Sequence, residues 1–165
     1  MSRYSKNKVR TPNPFGPVDE KAVAAFEQMI GSPLPTGYRI YLLEFNGAKF
    51  ENDYFKKEGG IDGQADSFFG LHEGPDYARL DVRWKLSGCY DIGELAPGVN
   101  DYIVFAGTGT GDLLLLSLIT GEVCFLDHES IEDDPEVGAR FNAIPIAANF
   151  DEFVEGLMPA RMIPD

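Results

Sequence analysis

The chain has 165 residues, of which 44% are hydrophobic and 25% charged, the length and composition of one globular domain. Its longest apolar run, Leu113–Leu116, is far shorter than the ~20 residues that a membrane-spanning helix needs. No apolar stretch follows the basic N-terminus, so we expect no secretory signal, and two cysteines are too few for a disulfide framework. These features argue against membrane association and predict a reduced, cytoplasmic protein.

The charge is strongly acidic and unevenly placed. The net charge is −13, from 27 acidic and 14 basic residues. Residues 1–10 hold four basic residues and no acidic one, whereas from Leu86 onward there are two basic residues against 15 acidic ones. Phosphate repulsion argues against nucleic-acid binding by that half, and a basic protein is its natural complement. The alternative is that the acidity only keeps the protein in solution.

The N-terminal part is predicted as a tail followed by a helix. Residues 1–17 are basic, polar and interrupted by three prolines, which is typical of a flexible tail, with Phe15 as a tether to the body. A helix is predicted over residues 19–30, with Asp19 as its N-cap and Gly31 as its stop.

A second helix follows after a rigid corner at Leu34-Pro35. Thr36 is its predicted cap, and Asn46-Gly47 supplies a left-handed end. One face of this helix is apolar and carries Tyr38, Tyr41, Leu42 and Phe45. Because two amphipathic helices cannot bury their apolar faces alone, we expect a sheet to cover them.

The middle of the chain changes to short strands and turns. Residues 49–51 and 54–55 are predicted as one short strand or a ragged pair, and residues 67–71 as a further short strand. Turns are predicted at Gly59-Gly60 and Asp62-Gly63, and a weak helix over residues 72–85. Three stronger strands follow at Tyr102–Ala106, Leu113–Leu118 and Val123–Leu126, separated by a glycine turn at Gly107–Gly111 and by Thr120-Gly121. Tight turns between them predict an antiparallel meander, with the fully apolar middle strand at its centre.

The C-terminal part is predicted to return to the core through a helix. Residues 128–142 are interpreted as an acidic, irregular connection, and Ala143–Ala148 as an apolar lead-in. Asn149 is a good helix cap, and the helix after it places Phe150, Phe153, Val154 and Leu157 on one face.

Two motifs resemble parts of functional sites but lack other features that those sites need. A phosphate loop at Gly107–Gly111 would need a helix behind it, whereas Asp112 and an apolar strand follow, so a hairpin turn is favoured. Asp127-His128-Glu129 offers metal or acid–base ligands, but on a strand only Asp127 and Glu129 converge, and only His72-Glu73 is left as a further source of ligands. Neither cysteine has a basic neighbour that would activate it. We therefore predict no catalytic residues, no metal and no cofactor.

The acidic connection is the candidate binding surface. Six acidic residues lie within ten positions, and nothing in sequence neutralises them before Arg140: Asp127, Glu129, Glu132, Asp133, Asp134 and Glu136. They form either a solvated loop or a docking surface for a basic partner, which an exposed aromatic residue beside them would strengthen. Trp84, the only tryptophan, is either a core residue or part of that surface.

Four segments in order resemble the SUKH superfamily. The first, from Phe26 to Gly47, holds a helix, the Leu34-Pro35 corner, Tyr38 near the start of the second helix and the Asn46-Gly47 end. The others are the strand and glycine turn of residues 103–112 with the strand that follows, the strand and its end at residues 123–129, and the final helix at residues 149–157. The resemblance covers residues 18–158, which leaves residues 159–165 as a C-terminal end. We interpret Leu34, Pro35, Tyr38, Asn46, Gly47, Gly107, Gly111 and Asp112 as structural.

The resemblance implies a single α+β domain, in which an antiparallel or mixed sheet packs with two N-terminal helices and one C-terminal helix. The family includes the yeast cell-wall synthesis regulator and many bacterial immunity proteins. It therefore implies a non-enzymatic protein that neutralises a cognate toxin, such as a basic nuclease. The alternative is a regulatory or scaffolding module of the same fold. The basic tail and the acidic connection lie outside the family pattern, and the sequence leaves the partner and the oligomeric state open.

Overall fold

The computed structural model describes residues 3–56, 62–97, 99 and 101–160. These residues form four α-helices: α1 (Glu20–Ile30), α2 (Thr36–Phe45), α3 (Leu80–Arg83) and α4 (Phe150–Gly156). The strands in the same ranges are β1 (Val9–Arg10), β2 (Lys49–Phe50), β3 (Tyr54–Lys56), β4 (Asp62–Phe68), β5 (Tyr102–Thr108), β6 (Leu113–Ser117), β7 (Val123–Leu126), β8 (Glu132–Asp134), β9 (Gly138–Arg140) and β10 (Ala143–Ala147). Within these ranges, no helix is long and apolar enough to cross a membrane.

Six strands form one antiparallel sheet in the order β10-β7-β6-β5-β4-β3, which confirms the predicted α+β class and the β5–β6–β7 meander. The apolar strand β6 lies inside this sheet, and all five of its residues are buried. Helices α2 and α4 pack on the sheet through aromatic rings. The ring of Phe105 lies 5.8 Å from that of Tyr38, 5.5 Å from that of Phe150 and 5.8 Å from that of Phe153. The aromatic residues predicted on the two helix faces therefore share one core.

The corner between α1 and α2 agrees with the sequence prediction except at the cap of α2. The Asp19 carboxylate caps α1 by accepting from the Ala22 N–H, and Gly31 ends the helix in a left-handed conformation, as predicted. The cap of α2 is Pro35 and not Thr36, and it makes no side-chain hydrogen bond. Glu27 fixes the corner instead, because its carboxylate accepts from the Leu34 N–H before α2 at 2.7 Å and from Arg39 Nε on α2 at 3.0 Å.

The end of α2 is held by a buried amide and a close backbone contact. Asn46 and Gly47 both have positive φ, 30° and 88°. The Asn46 side chain, fully buried, donates to the carbonyls of Gly16 and Leu71 and accepts from the Leu71 N–H, all within 2.9 Å. A Cβ atom at Gly47 would lie 3.2 Å from the backbone of Gly70. The geometry agrees with the structural interpretation of this pair.

The N-terminal segment differs from the expected flexible tail. Tyr4 and Asn7 are buried, and β1 pairs with β2. The Tyr4 ring meets the Phe50 ring edge-on at 5.3 Å. The Asn7 side chain donates to the carbonyls of Asn52 and Val154. Residues 3–17 therefore pack on the body, because their few apolar and amide side chains find buried partners that a periodicity argument does not detect.

Other predicted elements shift at their ends. Asp62-Gly63 belongs to β4 and is not a turn, whereas Gly59-Gly60 lies outside the described residues. The weak helix over residues 72–85 is reduced to α3 with a short 3₁₀ turn at Asp76–Ala78. Gly107 lies in β5 without a positive φ, so the glycine turn begins only after Thr108. At Asp62-Gly63 and at Gly107, strand pairing extends through residues whose local propensity favours a turn.

The packing of Tyr4 predicts a measurable stability effect. Tyr4→Ala is expected to lower the free energy of unfolding by about 3 kcal/mol, because removal of a buried ring leaves a cavity. Urea denaturation followed by circular dichroism measures the change. The control is Lys8→Ala, an exposed side chain in the same segment, with an expected change within about 0.5 kcal/mol. A Tyr4→Ala variant as stable as the wild type would support a free tail.

The backbone of Gly47 predicts a second effect. Gly47→Ala is expected to destabilise the protein by about 1–2 kcal/mol, because a side chain disfavours the left-handed conformation and would press on Gly70. The matched substitution Gly156→Ala meets no atom within 4 Å and has no positive φ, so it is expected to stabilise by about 0.5–1 kcal/mol. Thermal unfolding of both variants measures these two stability changes. A Gly47→Ala variant as stable as the wild type would show that α2 ends elsewhere.

Candidate protein-binding surface

The acidic segment forms a hairpin and not an irregular connection. We call residues 127–140 the acidic hairpin. It consists of a 3₁₀ turn at His128–Ser130 and of strands β8 and β9, paired with Glu132 opposite Arg140. The Asp134 carboxylate closes the turn between the strands by accepting from the N–H groups of Glu136 and Val137 at 2.8 and 3.1 Å. These two bonds lower the pKa of Asp134 below its usual value. An ionised aspartate thus holds the loop that the sequence suggested was unstructured.

A neighbouring segment fixes this hairpin to the domain. The Ala139 N–H donates to the Glu94 carbonyl at 2.7 Å, and the Ala96 N–H donates to the Ala139 carbonyl at 2.9 Å. Asp133 accepts from the Gly93 N–H at 3.2 Å. A Cβ atom at Gly138 would lie 2.8 Å from the Ala96 nitrogen, so only glycine allows this close approach. The acidic residues are therefore presented on a braced strand pair.

The carboxylates of the acidic hairpin are mostly unpaired. In the described part of the chain, no lysine or arginine nitrogen lies within 4.0 Å of the carboxylates of Glu129, Glu132, Asp133, Asp134 or Glu136. All five residues are exposed. Arg140, opposite Glu132 on β9, offsets only part of this charge, so the surface keeps a negative potential that is available to a cationic partner.

Two exposed aliphatic side chains lie among these carboxylates. Leu95 is 43% exposed and Val137 42% exposed. Both line a hollow of ≈ 420 Å³ together with Asp133, Asp134 and Glu136. An apolar centre with a charged rim is the usual anatomy of a protein–protein interface. The sequence analysis missed both residues, although a single aliphatic side chain inside a polar, proline- and glycine-containing loop is a signal that was present.

Trp84 packs at the edge of the core and lies near this surface. It is partly buried, and its ring meets that of Phe26 edge-on at 6.5 Å. It lines a cleft of ≈ 380 Å³ that shares Gly93, Glu94 and Leu95 with the hollow described above. The structure therefore brings Trp84 and the acidic hairpin to two adjoining depressions.

The remaining acidic residue of the set, Asp127, belongs to a separate cluster. Asp112 Oδ1 accepts from the His128 backbone N–H at 3.1 Å and lies 2.7 Å from His128 Nδ1. Asp112 Oδ2 accepts from the Thr110 hydroxyl at 3.1 Å. Asp127 Oδ1 is 4.0 Å from His128 Nδ1. Asp112 thus joins the glycine turn to the start of the acidic hairpin, in agreement with a structural role.

The same cluster corrects the predicted convergence of Asp127 and Glu129. Asp112, Asp127 and His128 each offer a ligand atom within 4.8 Å of the others, and Glu129 is not part of the group. The reason is that β7 ends at Leu126, so strand alternation does not continue through His128. Both Asp112 oxygens already accept hydrogen bonds, and a metal ion would have to replace them. That the protein needs no metal stays a prediction.

The structure is an α+β domain with an antiparallel sheet, two N-terminal helices and a C-terminal helix, and it presents its acidic residues on an exposed hairpin. The model of the SMI1 / KNR4 family (SUKH-1) matches residues 17–156, and the chain belongs to this family. Members are generally non-enzymatic immunity or regulatory proteins, which supports a protein-binding role. A search of curated proteins finds no match.

The Asp112–His128 contact predicts a pH dependence. The hydrogen bond to Asp112 raises the pKa of His128 above 6.5. Partial burial opposes ionisation of Asp112, but its bonds with His128 and Thr110 outweigh this, so the pKa of Asp112 lies below 3.8. The ion pair stabilises the fold fully between pH 3.8 and 6.5, and this stabilisation is lost as the pH rises through the folded pKa of His128.

An NMR titration of the His128 ring checks this prediction. Its midpoint is expected above 6.5 in the wild type and lower in Asp112→Asn, because the variant removes the carboxylate that holds the proton on the ring. Asp76→Asn removes an exposed carboxylate that pairs with Arg79, and it is expected to leave the midpoint unchanged. Equal midpoints in the wild type and Asp112→Asn would contradict the contact.

Proposed function

We propose that the protein is an immunity protein that binds a cognate basic toxin through the acidic hairpin and blocks the toxin's active site. The observation that supports this proposal best is a set of five exposed carboxylates, none with a lysine or arginine nitrogen of the described residues within 4.0 Å, on a braced hairpin beside Leu95 and Val137. Such a surface repels itself, and a basic partner relieves that repulsion when it docks. A toxin that acts on nucleic acid needs basic residues to hold the phosphate backbone, which makes a basic nuclease the partner that suits this surface best.

The arrangement of charged and apolar residues also suits binding to a basic partner. Unpaired rim charges attract an oppositely charged partner over a Debye length and raise the association rate, whereas the apolar centre is desolvated only in the final complex. The exposed Leu95 and Val137 lie where such a centre is needed. A hairpin of this kind would occupy the groove in which the toxin holds its own anionic substrate.

The structure also decides which charges to reverse in a test. Asp133 and Asp134 accept backbone hydrogen bonds, so their substitution would loosen the hairpin. The side chains of Glu129, Glu132 and Glu136 accept none among the described contacts and are exposed. On the final helix, Asp151 pairs with Arg3, and Glu155 accepts from two backbone N–H groups of the N-terminal segment, so neither is a neutral control.

The test uses the product of the neighbouring gene, where the immunity role predicts a toxin. Relative to the wild type, Glu129→Lys/Glu132→Lys/Glu136→Lys is expected to lower the association rate at least tenfold at low salt. The loss is expected to shrink near 0.5 M salt, where the Debye length is about 4 Å. The control triple Glu44→Lys/Glu51→Lys/Glu152→Lys makes the same charge change at exposed sites elsewhere. Stopped-flow or surface-binding kinetics measure both variants.

The outcomes separate the alternatives. Equal losses for the two triples would mean that only the net charge matters. No loss for the first triple would remove the acidic hairpin from the interface. Survival of cells that co-express the toxin with this protein is the functional readout. If the neighbouring product is neither bound nor neutralised, a regulatory or scaffolding role in the same family takes the place of the immunity role.

A further inference from the structure

We infer that the cleft beside Trp84 receives one arginine side chain of the basic partner. This inference rests on the proposed function and adds the specific group that the partner inserts. We call this depression the aromatic cleft. Three aromatic residues and two acidic residues of its lining are relevant to cation binding: Trp84, Tyr102, Phe141, Glu94 and Asp101. The first three supply π-faces, and the last two are exposed acidic residues.

The chemistry of the lining suits a cation on a planar group. The rings of Tyr102 and Phe141 meet edge-on at 5.7 Å, and Trp84 offers the ring type that attracts cations most strongly. Carboxylates at the same opening would pair with the charge. Guanidinium is flat, weakly hydrated and able to stack on a ring while it donates to a carboxylate, so arginine fits this combination better than lysine.

The molecule already places a cation on one of these rings. Lys85 Nζ lies 5.0 Å from the centroid of the Trp84 ring. Lys85 is exposed, and no carboxylate oxygen of the described residues lies within 4.0 Å of its ammonium group. The Trp84 face thus accepts a positive charge, and Lys85 is a weakly held occupant that a better cation can displace.

The position of the cleft supports a role in the same interface. Its volume of ≈ 380 Å³ is ample for one side chain, and Glu94 and Leu95 line both the cleft and the hollow at the acidic hairpin. A partner surface that covers Leu95 and Val137 therefore reaches the cleft at its edge. A tryptophan pocket filled by an arginine is the kind of contact that dominates binding energy at such interfaces.

The single tryptophan makes the cleft directly observable. The probe is N-acetyl-arginine amide, and the control probe is N-acetyl-citrulline amide, which has nearly the same shape and no charge. We expect the fluorescence of Trp84 to titrate with the arginine probe at least tenfold more tightly than with the citrulline probe. A lysine amide is expected to bind between the two. Equal responses to arginine and citrulline, or no saturable response, would overturn the inference.

Two pairs of variants test the named residues without disturbing the core. Glu94→Gln is expected to weaken the arginine probe severalfold, and Glu44→Gln, at an exposed site on α2, is expected to leave it unchanged. Lys85→Gln is expected to strengthen binding severalfold, because it frees the Trp84 face. Lys56→Gln makes the same charge change on β3 and controls for the general electrostatic effect. A Lys85→Gln effect no larger than that of Lys56→Gln would contradict displacement.

A final comparison separates this inference from the proposed function. In the complex with the toxin, Glu94→Gln is expected to raise the dissociation rate, whereas the hairpin triple lowers the association rate. If the hairpin triple acts as expected and toxin binding leaves the Trp84 fluorescence unchanged, the cleft is not used and the proposed function stands. If the arginine probe titrates Trp84 and no toxin is neutralised, the cation site stands and the proposed function fails.

Discussion

The architecture depends on one buried amide at the end of α2. Asn46 is fully buried, and it can remain so only because its side chain meets the carbonyls of Gly16 and Leu71 and the Leu71 N–H. A buried amide without partners would cost about 2–7 kcal/mol, so the native fold has to keep these bonds. They hold the end of α2, Gly16 and Leu71 together. The turn that brings Asn46 into place needs Gly47 against Gly70, where the two backbones come too close for a side chain. The helix pair, the N-terminal segment and the end of β4 therefore meet at one point.

The acidic hairpin is also held by polar side chains that bond the backbone and by a glycine at a close backbone contact. Mutual repulsion among its carboxylates favours an open loop, yet Asp133 and Asp134 bond backbone N–H groups and Gly138 allows β9 to approach residues 94–96. Two of the acidic residues thus maintain the structure that the others destabilise. A surface that keeps unpaired charge in a defined arrangement loses little conformational entropy on binding, which favours a fast and specific association.

The parts that local sequence predicted correctly are those with local causes. The caps at Asp19 and Asn149 and the stop at Gly31 act on N–H and carbonyl groups within a few residues. The meander was readable because tight turns separate apolar strands. By contrast, the packing of Tyr4 on Phe50 and the hydrogen bond from the Leu34 N–H to Glu27 depend on contacts between separate segments and on side-chain direction. The pairing of Gly107 in β5 likewise depends on its neighbours in the sheet, Ser67 and Leu113.

By itself the sequence determined the α+β class, the helix pair with its Leu34-Pro35 corner, the meander and the acidic character of the candidate surface. Periodicity, caps and charge are properties of residues near one another in the chain, so they can be recognised from the sequence alone. Only the tertiary structure decided that the acidic segment is a braced hairpin, that Asp112 and His128, and not Glu129, lie beside Asp127, and that Trp84 and Leu95 line the same cleft. These depend on which distant segments pack together, and many different sequences satisfy the same local pattern while placing such residues apart.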